Sequence, residues 1–241
     1  MIRLDTYLNT KIYFAFIVFL IAVIIAFWRS YFSVLLFQPT ALNHLHGLSM
    51  TLWVLLLIIQ PLLIKFNLRS IHRAIGKFSY FLFPFILFSI LLLLKHNMKG
   101  VSLDHDSTIA FQALVLISAL AFGLIYFLAV KNKSRSDIHA RYMVSTLFPI
   151  ITPVTDRLIS RHLQHWVAYA PQIGGNPMLP FFGFILADIL LLVLLIWDLK
   201  SNKRKVVFPI VFIIVLLFQI SVFTLYKFQW WKDFCLWFIS L

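Results

Sequence analysis

The sequence is poor in cysteine, in acidic residues and in charge of either sign. Cys235 is the only cysteine among 241 residues, which excludes an intrachain disulfide and any cysteine-rich zinc or iron–sulfur site. Only 12% of the residues are charged, against about 25% in a typical soluble domain. The composition therefore excludes an ordinary water-soluble protein, and any chemistry must rest on His, Asp, Arg and aromatic side chains.

Long apolar runs take the place of the missing charge. Hydrophobic residues make up 62% of the chain, and runs of about 18 or more can cross a hydrocarbon core of roughly 30 Å. We predict an all-α polytopic membrane bundle, one domain over residues 1–241, with a core at 45–158. The seven predicted spans are 12–28, 45–64, 78–94, 108–130, 141–158, 178–197 and 206–226. The remaining segment, 227–241, mixes aromatic and charged residues and is expected to lie along the membrane surface.

The positive charge is unevenly distributed between the two predicted sides. The net charge is +13, and fourteen of the 21 Lys and Arg fall on the side of the N-terminus and of the connections after the second, fourth and sixth spans. Because Lys and Arg accumulate in cytoplasmic loops, this predicts an inside N-terminus and an outside C-terminus. The inner basic loops are expected to contact anionic lipid head groups, and no nucleic-acid partner is expected.

All eight histidines lie at or just beyond the ends of predicted spans, where an uncharged imidazole can stay near water. His46, Ser49, Trp53 and Gln60 are spaced by 3, 4 and 7 and so share one helical face, which we expect to point into the bundle. His44 projects about 200° away from His46 around an ideal helix. The alternative is that both rings merely lie at the outer end of the helix.

The fifth span carries polar residues and prolines at helical intervals. The residues that recur at intervals of three or four are His139, Tyr142 or Met143, Thr146, Pro149, Pro153 and Asp156. Because the two prolines free backbone carbonyls that lipid cannot satisfy, we expect this segment to pack centrally. Its acidic residue and the arginine that follows are expected to find partners on other elements or to anchor at the interface.

Asp188 is the only carboxylate well inside a predicted span. An unpaired ionised carboxylate there costs about 2.5 to 3.5 kcal/mol on insertion scales. We therefore expect it to be protonated, paired or facing a polar cavity, either for function or for a hydrogen bond between helices.

Polar landmarks recur in order over residues 45–158. They are His46-Gly47, Gln60, His72-Arg73 with Gly76 and Tyr80, and His139 with Arg141, Met143 and Arg157. This ordered set resembles that of a family of predicted bacterial integral membrane proteins without established function. The resemblance implies a multi-pass protein of the bacterial inner membrane.

The histidines at the starts of four consecutive spans resemble, more distantly, those of the cytochrome b561 group. Members of that group hold two b-type haems between helix pairs and pass electrons across a membrane, and a haem iron takes two facing imidazoles. The resemblance implies an outer haem held by His46 and His105, an inner haem held by His72 and His139, and a quinone or other redox partner.

Two other functions remain open. His46, His162, His165 and Asp156 could hold a divalent ion such as Zn or Fe with an open position for Lewis-acid chemistry, as in a membrane enzyme. Alternatively the chain is a non-catalytic transporter, assembly factor or lipid-binding component without a cofactor. Further candidate functional residues are Gln60, Arg73, Arg141, Arg157 and Asp188.

Overall fold

Helices make up nearly all of the regular structure in the computed structural model, which describes residues 3–37, 40–101, 105–202 and 206–240. Short 3₁₀ turns separate some of the helices, and a two-residue hairpin, β1 (Gln172–Ile173) and β2 (Asn176–Pro177), precedes α8. The helices are α1 (Leu4–Thr10), α2 (Tyr13–Phe27), α3 (Ala41–Lys65), α4 (Arg69–Met98), α5 (Asp106–Lys131), α6 (Ser136–Ser145), α7 (Thr152–His162), α8 (Pro180–Asn202), α9 (Val207–Thr224) and α10 (Gln229–Ser240).

Five of these helices, α3, α4, α5, α8 and α9, are long and apolar enough to cross a membrane. The pair α1 and α2, bent by 57°, would make a sixth span. Exposed Phe, Leu and Ile side chains cover the outward faces, which fits contact with lipid. The all-α, multi-pass prediction therefore agrees with the structure, whereas the described residues give at most six such spans and not the seven predicted.

The difference lies in the predicted span 141–158, which is broken. Helix α6 ends at Ser145, a 3₁₀ turn covers Phe148–Ile150, and α7 begins at Thr152. Pro149 has no N–H, and its ring collides with the carbonyl four residues earlier, that of Ser145, so the first helix stops there. Pro153 falls in the first turn of α7, where a missing N–H removes no hydrogen bond. The continuous helix expected here is wrong, and two short helices replace it.

Contacts between distant parts of the chain define two ends of the bundle. At the α1 end, the Leu4 N–H donates to Ser201 Oγ at 3.1 Å, and Lys65 Nζ donates to the Tyr13 hydroxyl at 2.9 Å. At the α10 end, Lys232 Nζ lies 3.0 Å from the Asp106 carboxylate. The connections α3–α4 and α5–α6, which carry predicted inner cations, lie at the α1 end. Which end faces the cytoplasm stays a prediction, and the predicted inner cations Lys203, Arg204 and Lys205 lie outside the described residues.

An aromatic cluster fixes the broken segment at the centre of the bundle. Trp53 on α3 is buried, and its ring lies 5.0 Å from that of Phe122 and 5.3 Å from that of Tyr126 on α5. Its Nε1–H donates to Thr146 Oγ1, beside the break, at 3.3 Å. The Tyr126 hydroxyl is hydrogen-bonded to Ser79 on α4 at 2.8 Å. Trp53 therefore contacts the break directly, and its ring contacts connect it to α5 and, through Tyr126, to α4. This agrees with the predicted central position of the segment.

Candidate functional site

A cavity of about 470 Å³ lies between α2, α3, α4, α5 and α7, and we call it the main cavity. Its volume falls within the roughly 300–1,000 Å³ of pockets that hold small molecules. Most of its wall is apolar. The polar residues that line it are Ser30, Tyr31, Asn43, His46, Thr51, Asn97, Ser118, Thr152, Asp156 and Arg157.

One ring nitrogen of His46 is hydrogen-bonded and the other faces the cavity without a partner among the described residues. Nδ1 lies 3.1 Å from Ser89 Oγ, and the Ser89 hydroxyl donates its own hydrogen to the Ile86 carbonyl at 2.7 Å. Because a hydroxyl has only one hydrogen, Ser89 accepts from Nδ1–H, so the neutral form of the ring has its lone pair on Nε2. No residue in the described ranges donates a hydrogen bond to that Nε2. His46 therefore offers an acceptor, as a base or ligand requires, and the predicted inward face is confirmed at this residue, at Ser49 and at Trp53.

Asp156 and Arg157 stand side by side on α7 but are held differently. The Arg157 guanidinium lies over the Phe27 ring of α2, 4.4 Å from its centroid, and donates to the Pro153 carbonyl at 3.0 Å. Asp156 makes no hydrogen bond and no ion pair within 4.0 Å with any residue that the structure describes. A partner on another element was expected for both residues, and only Arg157 has one.

Helix α7 is placed against the cavity by a close approach to α8. A Cβ built on Gly183 would lie 2.5 Å from Thr155 Oγ1 and 2.9 Å from the Thr152 Cα. Only glycine lets the two backbones come this near, as in other membrane helix pairs. The register of Asp156 and Arg157 in the wall therefore depends on this contact.

Tyr31 closes the main cavity from the connection between α2 and α3. Its ring packs on Gly47, where a Cβ would lie 2.5 Å from the Tyr31 Cζ. Burial raises the pKa of the Tyr31 phenol above its ordinary value. Sequence reasoning missed Tyr31 as a site residue; the small residue at Gly47, next to His46, was the one available signal.

The α1 end holds a second polar cluster around His72 and His139. With the Gln60 amide oriented as its contacts require, its nitrogen donates to the His72 carbonyl at 3.3 Å and to His72 Nδ1, and its oxygen accepts from the Gly76 N–H at 3.2 Å. His139 Nδ1 donates to the Ala129 carbonyl at 2.8 Å. Neither His72 nor His139 lines the main cavity.

The four predicted haem ligands are distributed over both ends. His46 is on the wall of the main cavity, and His105 is exposed just before α5. His72 and His139 lie at the α1 end, and Arg73, beside His72, is exposed. Haem binding by these residues stays a prediction.

The predicted metal ligands are not assembled in the structure. His46 and Asp156 share the main cavity, whereas His162 lines a separate crevice and His165 is exposed in a 3₁₀ turn. Within residues 3–37, 40–101, 105–202 and 206–240, no three His, Cys, Asp or Glu side chains are grouped as a metal site needs. A histidine-based metal centre is therefore not shown.

Arg141 and Asp188 take part in contacts between helices. Arg141 is fully buried and donates from Nε and Nη2 to the Asp198 carboxylate at 2.8 and 2.6 Å. Its Nη1 lies 2.7 Å from Asp5 Oδ1, so the guanidinium joins α6 to α8 and α1. Asp188 accepts a hydrogen bond from Gln219 Nε2 on α9 at 2.8 Å, which matches the expected hydrogen bond between helices. Sequence reasoning missed Asp198, which lies one residue beyond the predicted sixth span.

No protein-family model, curated protein or solved structure matches this chain. The resemblances drawn from the histidine landmarks stay predictions. The geometry of the main cavity is therefore the basis on which a function can be proposed.

Proposed function

We propose that this chain is a multi-pass membrane protein that binds a small amphipathic molecule in the main cavity. The observation that carries the proposal is the meeting of His46, Asp156 and Arg157 in one largely apolar cavity. The polar head of the ligand contacts these three side chains. Its apolar part lies among the side chains of α2, α4 and α5, such as Phe19 and Ile90.

The three side chains define the hydrogen-bonding pattern of the head group. Arg157 supplies only donors, whereas His46 Nε2 and the Asp156 carboxylate are acceptors. A matching head carries at least one oxygen acceptor and at least one hydroxyl or ammonium donor. A quinol has both and belongs to this class, in keeping with the expected quinone partner, and so does a hydroxylated lipid.

Asp156 gives the ligand an energetic reason to bind. Asp156 is partly buried and accepts no hydrogen bond from the described residues, although the charges of Arg157 and Arg161 act on it. A buried acceptor left without a hydrogen bond carries a penalty of about 1–3 kcal/mol. A donor from the ligand removes that penalty and adds a charge-assisted hydrogen bond. Binding should therefore depend on Asp156 as strongly as on Arg157.

The binding experiment uses purified protein in detergent and a short-tailed quinol as the probe, with thermal unfolding as the readout. A ligand at a hundred times its Kd stabilises the folded state by about 2.7 kcal/mol. We expect this stabilisation to be lost in Asp156→Asn and Arg157→Gln. It should also be lost in Ser118→Trp, which fills the cavity from α5.

Asp233→Asn is the matched control, because Asp233 is an exposed carboxylate on α10 away from the cavity. It should bind the probe like the unmodified protein. Equal stabilisation by the quinol and by an alkane of the same tail length would contradict the proposal, as would unchanged binding by all three cavity variants.

Haem binding is our second proposal, and it would use an imidazole that is oriented by its other ring nitrogen. A ligating histidine usually donates its other ring N–H to a carbonyl or carboxylate, as His139 does to Ala129. The haem proposal expects a Soret band that shifts on reduction and is lost in His139→Ala. A colourless purified protein without iron would refute it.

A further inference from the structure

A second, smaller crevice opens at the α10 end, where the last turns of α2 and α7 meet. Its volume is about 190 Å³, and we call it the basic crevice. Its complete lining is Ile24, Ile25, Trp28, Arg29, Arg161 and His162. Two permanent cations and an imidazole therefore stand beside two isoleucines, and the lining contains no carboxylate.

Arg161 is held in place at the end of α2, and Asp156, which is not part of the crevice lining, acts on it electrostatically. Its Nη1 donates to the Ala26 carbonyl at 2.7 Å, at the end of α2, where a helix leaves its last carbonyls without partners. This bond fixes the guanidinium and leaves four of its five N–H donors available for other acceptors. Arg29 is exposed and adds its charge from the end of α2.

The apolar side of the basic crevice continues along α2 into the lipid-facing surface. Ile25 is about half exposed, and Trp28 is 54% exposed beside the arginines. Tryptophan is enriched where a protein surface crosses from hydrocarbon to head groups. The crevice thus combines a cationic part and an apolar part in the order in which a phospholipid presents its phosphate and its chains.

The size of the crevice decides what part of a molecule enters it. At about 190 Å³ it is smaller than the roughly 300–1,000 Å³ of pockets that enclose whole ligands. It suits a head group whose remaining atoms stay outside. We propose that the basic crevice binds the phosphate head group of an anionic phospholipid whose acyl chains lie along the Ile25 side of α2.

The test measures which lipid lies next to Trp28. The protein is reconstituted in phosphatidylcholine vesicles with a trace of brominated phosphatidylglycerol or of brominated phosphatidylcholine, because bromine quenches nearby tryptophan fluorescence. The quenching due to Trp28 is the quenching of the unmodified protein minus the quenching of the Trp28→Phe variant. Each basic residue near an anionic membrane surface raises the affinity for that surface about fivefold. Two arginines should therefore enrich phosphatidylglycerol over phosphatidylcholine roughly 25-fold.

Arg29→Gln is the principal variant, since it leaves the Arg161 contact with α2 intact. It should lower the enrichment about fivefold. Lys95→Gln is the control, because Lys95 is a cation at the end of α4 that does not line the crevice. It should leave the enrichment unchanged.

Two results would overturn the proposal: equal quenching by the two brominated lipids, and an unchanged preference for phosphatidylglycerol in Arg29→Gln. Equal quenching together with binding of inorganic phosphate that Arg29→Gln weakens would assign the crevice to a free phosphate ion instead.

Discussion

Replacing Asp198 by Asn removes the charge that faces Arg141 and keeps the size of the side chain. Arg141 has no exposed surface and Asp198 is 2% exposed, so water cannot replace the lost charge. Removing one partner of a buried ion pair costs about 3–5 kcal/mol, because the other charge is left uncompensated. The variant should therefore unfold far more readily than the unmodified protein.

The geometry places the expected cost near the lower limit of that range. Asp5 still contacts Arg141 Nη1 at 2.7 Å, and the Asp137 carbonyl accepts from the same nitrogen at 2.8 Å. Asp5 is 26% exposed and compensates only part of the charge. We expect Asp198→Asn to lower the free energy of unfolding by about 3 kcal/mol. Exchanging both buried partners for apolar residues, in Arg141→Met with Asp198→Leu, should cost less than the single change.

The measurement is reversible unfolding in mixed micelles of a mild detergent and sodium dodecyl sulfate, followed by tryptophan fluorescence. Asp233→Asn, an exposed acid-to-amide change, is the control and should stay within about 0.5 kcal/mol of the unmodified protein. A cost below about 1 kcal/mol for Asp198→Asn would refute the reasoning, given the 3–5 kcal/mol expected for a broken buried pair. The reasoning would also be refuted if the double variant lost as much free energy of unfolding as Arg141→Met and Asp198→Leu lose when measured separately and added.

Three further predictions concern close packing and burial. Gly183→Ala should destabilise the protein by about 1–3 kcal/mol in thermal unfolding, because the added Cβ would lie 2.9 Å from the α7 backbone. Gly76→Ala is the control and should not destabilise the protein, because the nearest neighbour of its Cβ would be 3.9 Å away. Gly47→Ala should weaken binding of the quinol probe by displacing Tyr31, and equal affinity would show that the Tyr31 ring does not shape the cavity. Burial raises the pKa of the Cys235 thiol to about 12, so a maleimide should label it only after denaturation; labelling of the folded protein at neutral pH would contradict this.

The inward face of α3 could be predicted because it depends on local periodicity. Ser49 is 5% exposed and Trp53 is 1% exposed, at the spacing of one helical face, and His46 lines the main cavity. His44, two residues earlier, packs instead against the Tyr31 ring, with centroids 6.0 Å apart. Side chains follow the helical period whatever surrounds them, so one sequence suffices for this level of structure.

The break between α6 and α7 shows what apolar length alone misses. Pro149 and Pro153 did indicate a central segment, and Pro149 is buried, whereas Pro153 is exposed. A count of apolar residues does not register a missing backbone donor, so one continuous span was expected. The position of the break follows from the proline ring and the carbonyl four residues before it.

Partners in the tertiary structure could not be predicted from the sequence. Arg141 was a candidate, but nothing local marks Asp198, 57 residues away, as its partner. Tyr31 likewise reaches the main cavity only because the connection before α3 folds back onto Gly47. Such pairs depend on which helices pack together. The periodicity of one helix shows which of its faces is packed, but not which other helix packs against that face.

The contacts of Arg141 also constrain the order in which the chain can assemble during synthesis. Asp5 has already been made when Arg141 is added, whereas Asp198 follows 57 residues later. At roughly 5–20 residues per second, that delay is about 3 to 11 s. During this interval Asp5 on α1 is the only one of the two carboxylates available to the arginine. Asp5 on α1 can therefore compensate the arginine before α8 has been made, and both carboxylates contact it in the folded structure.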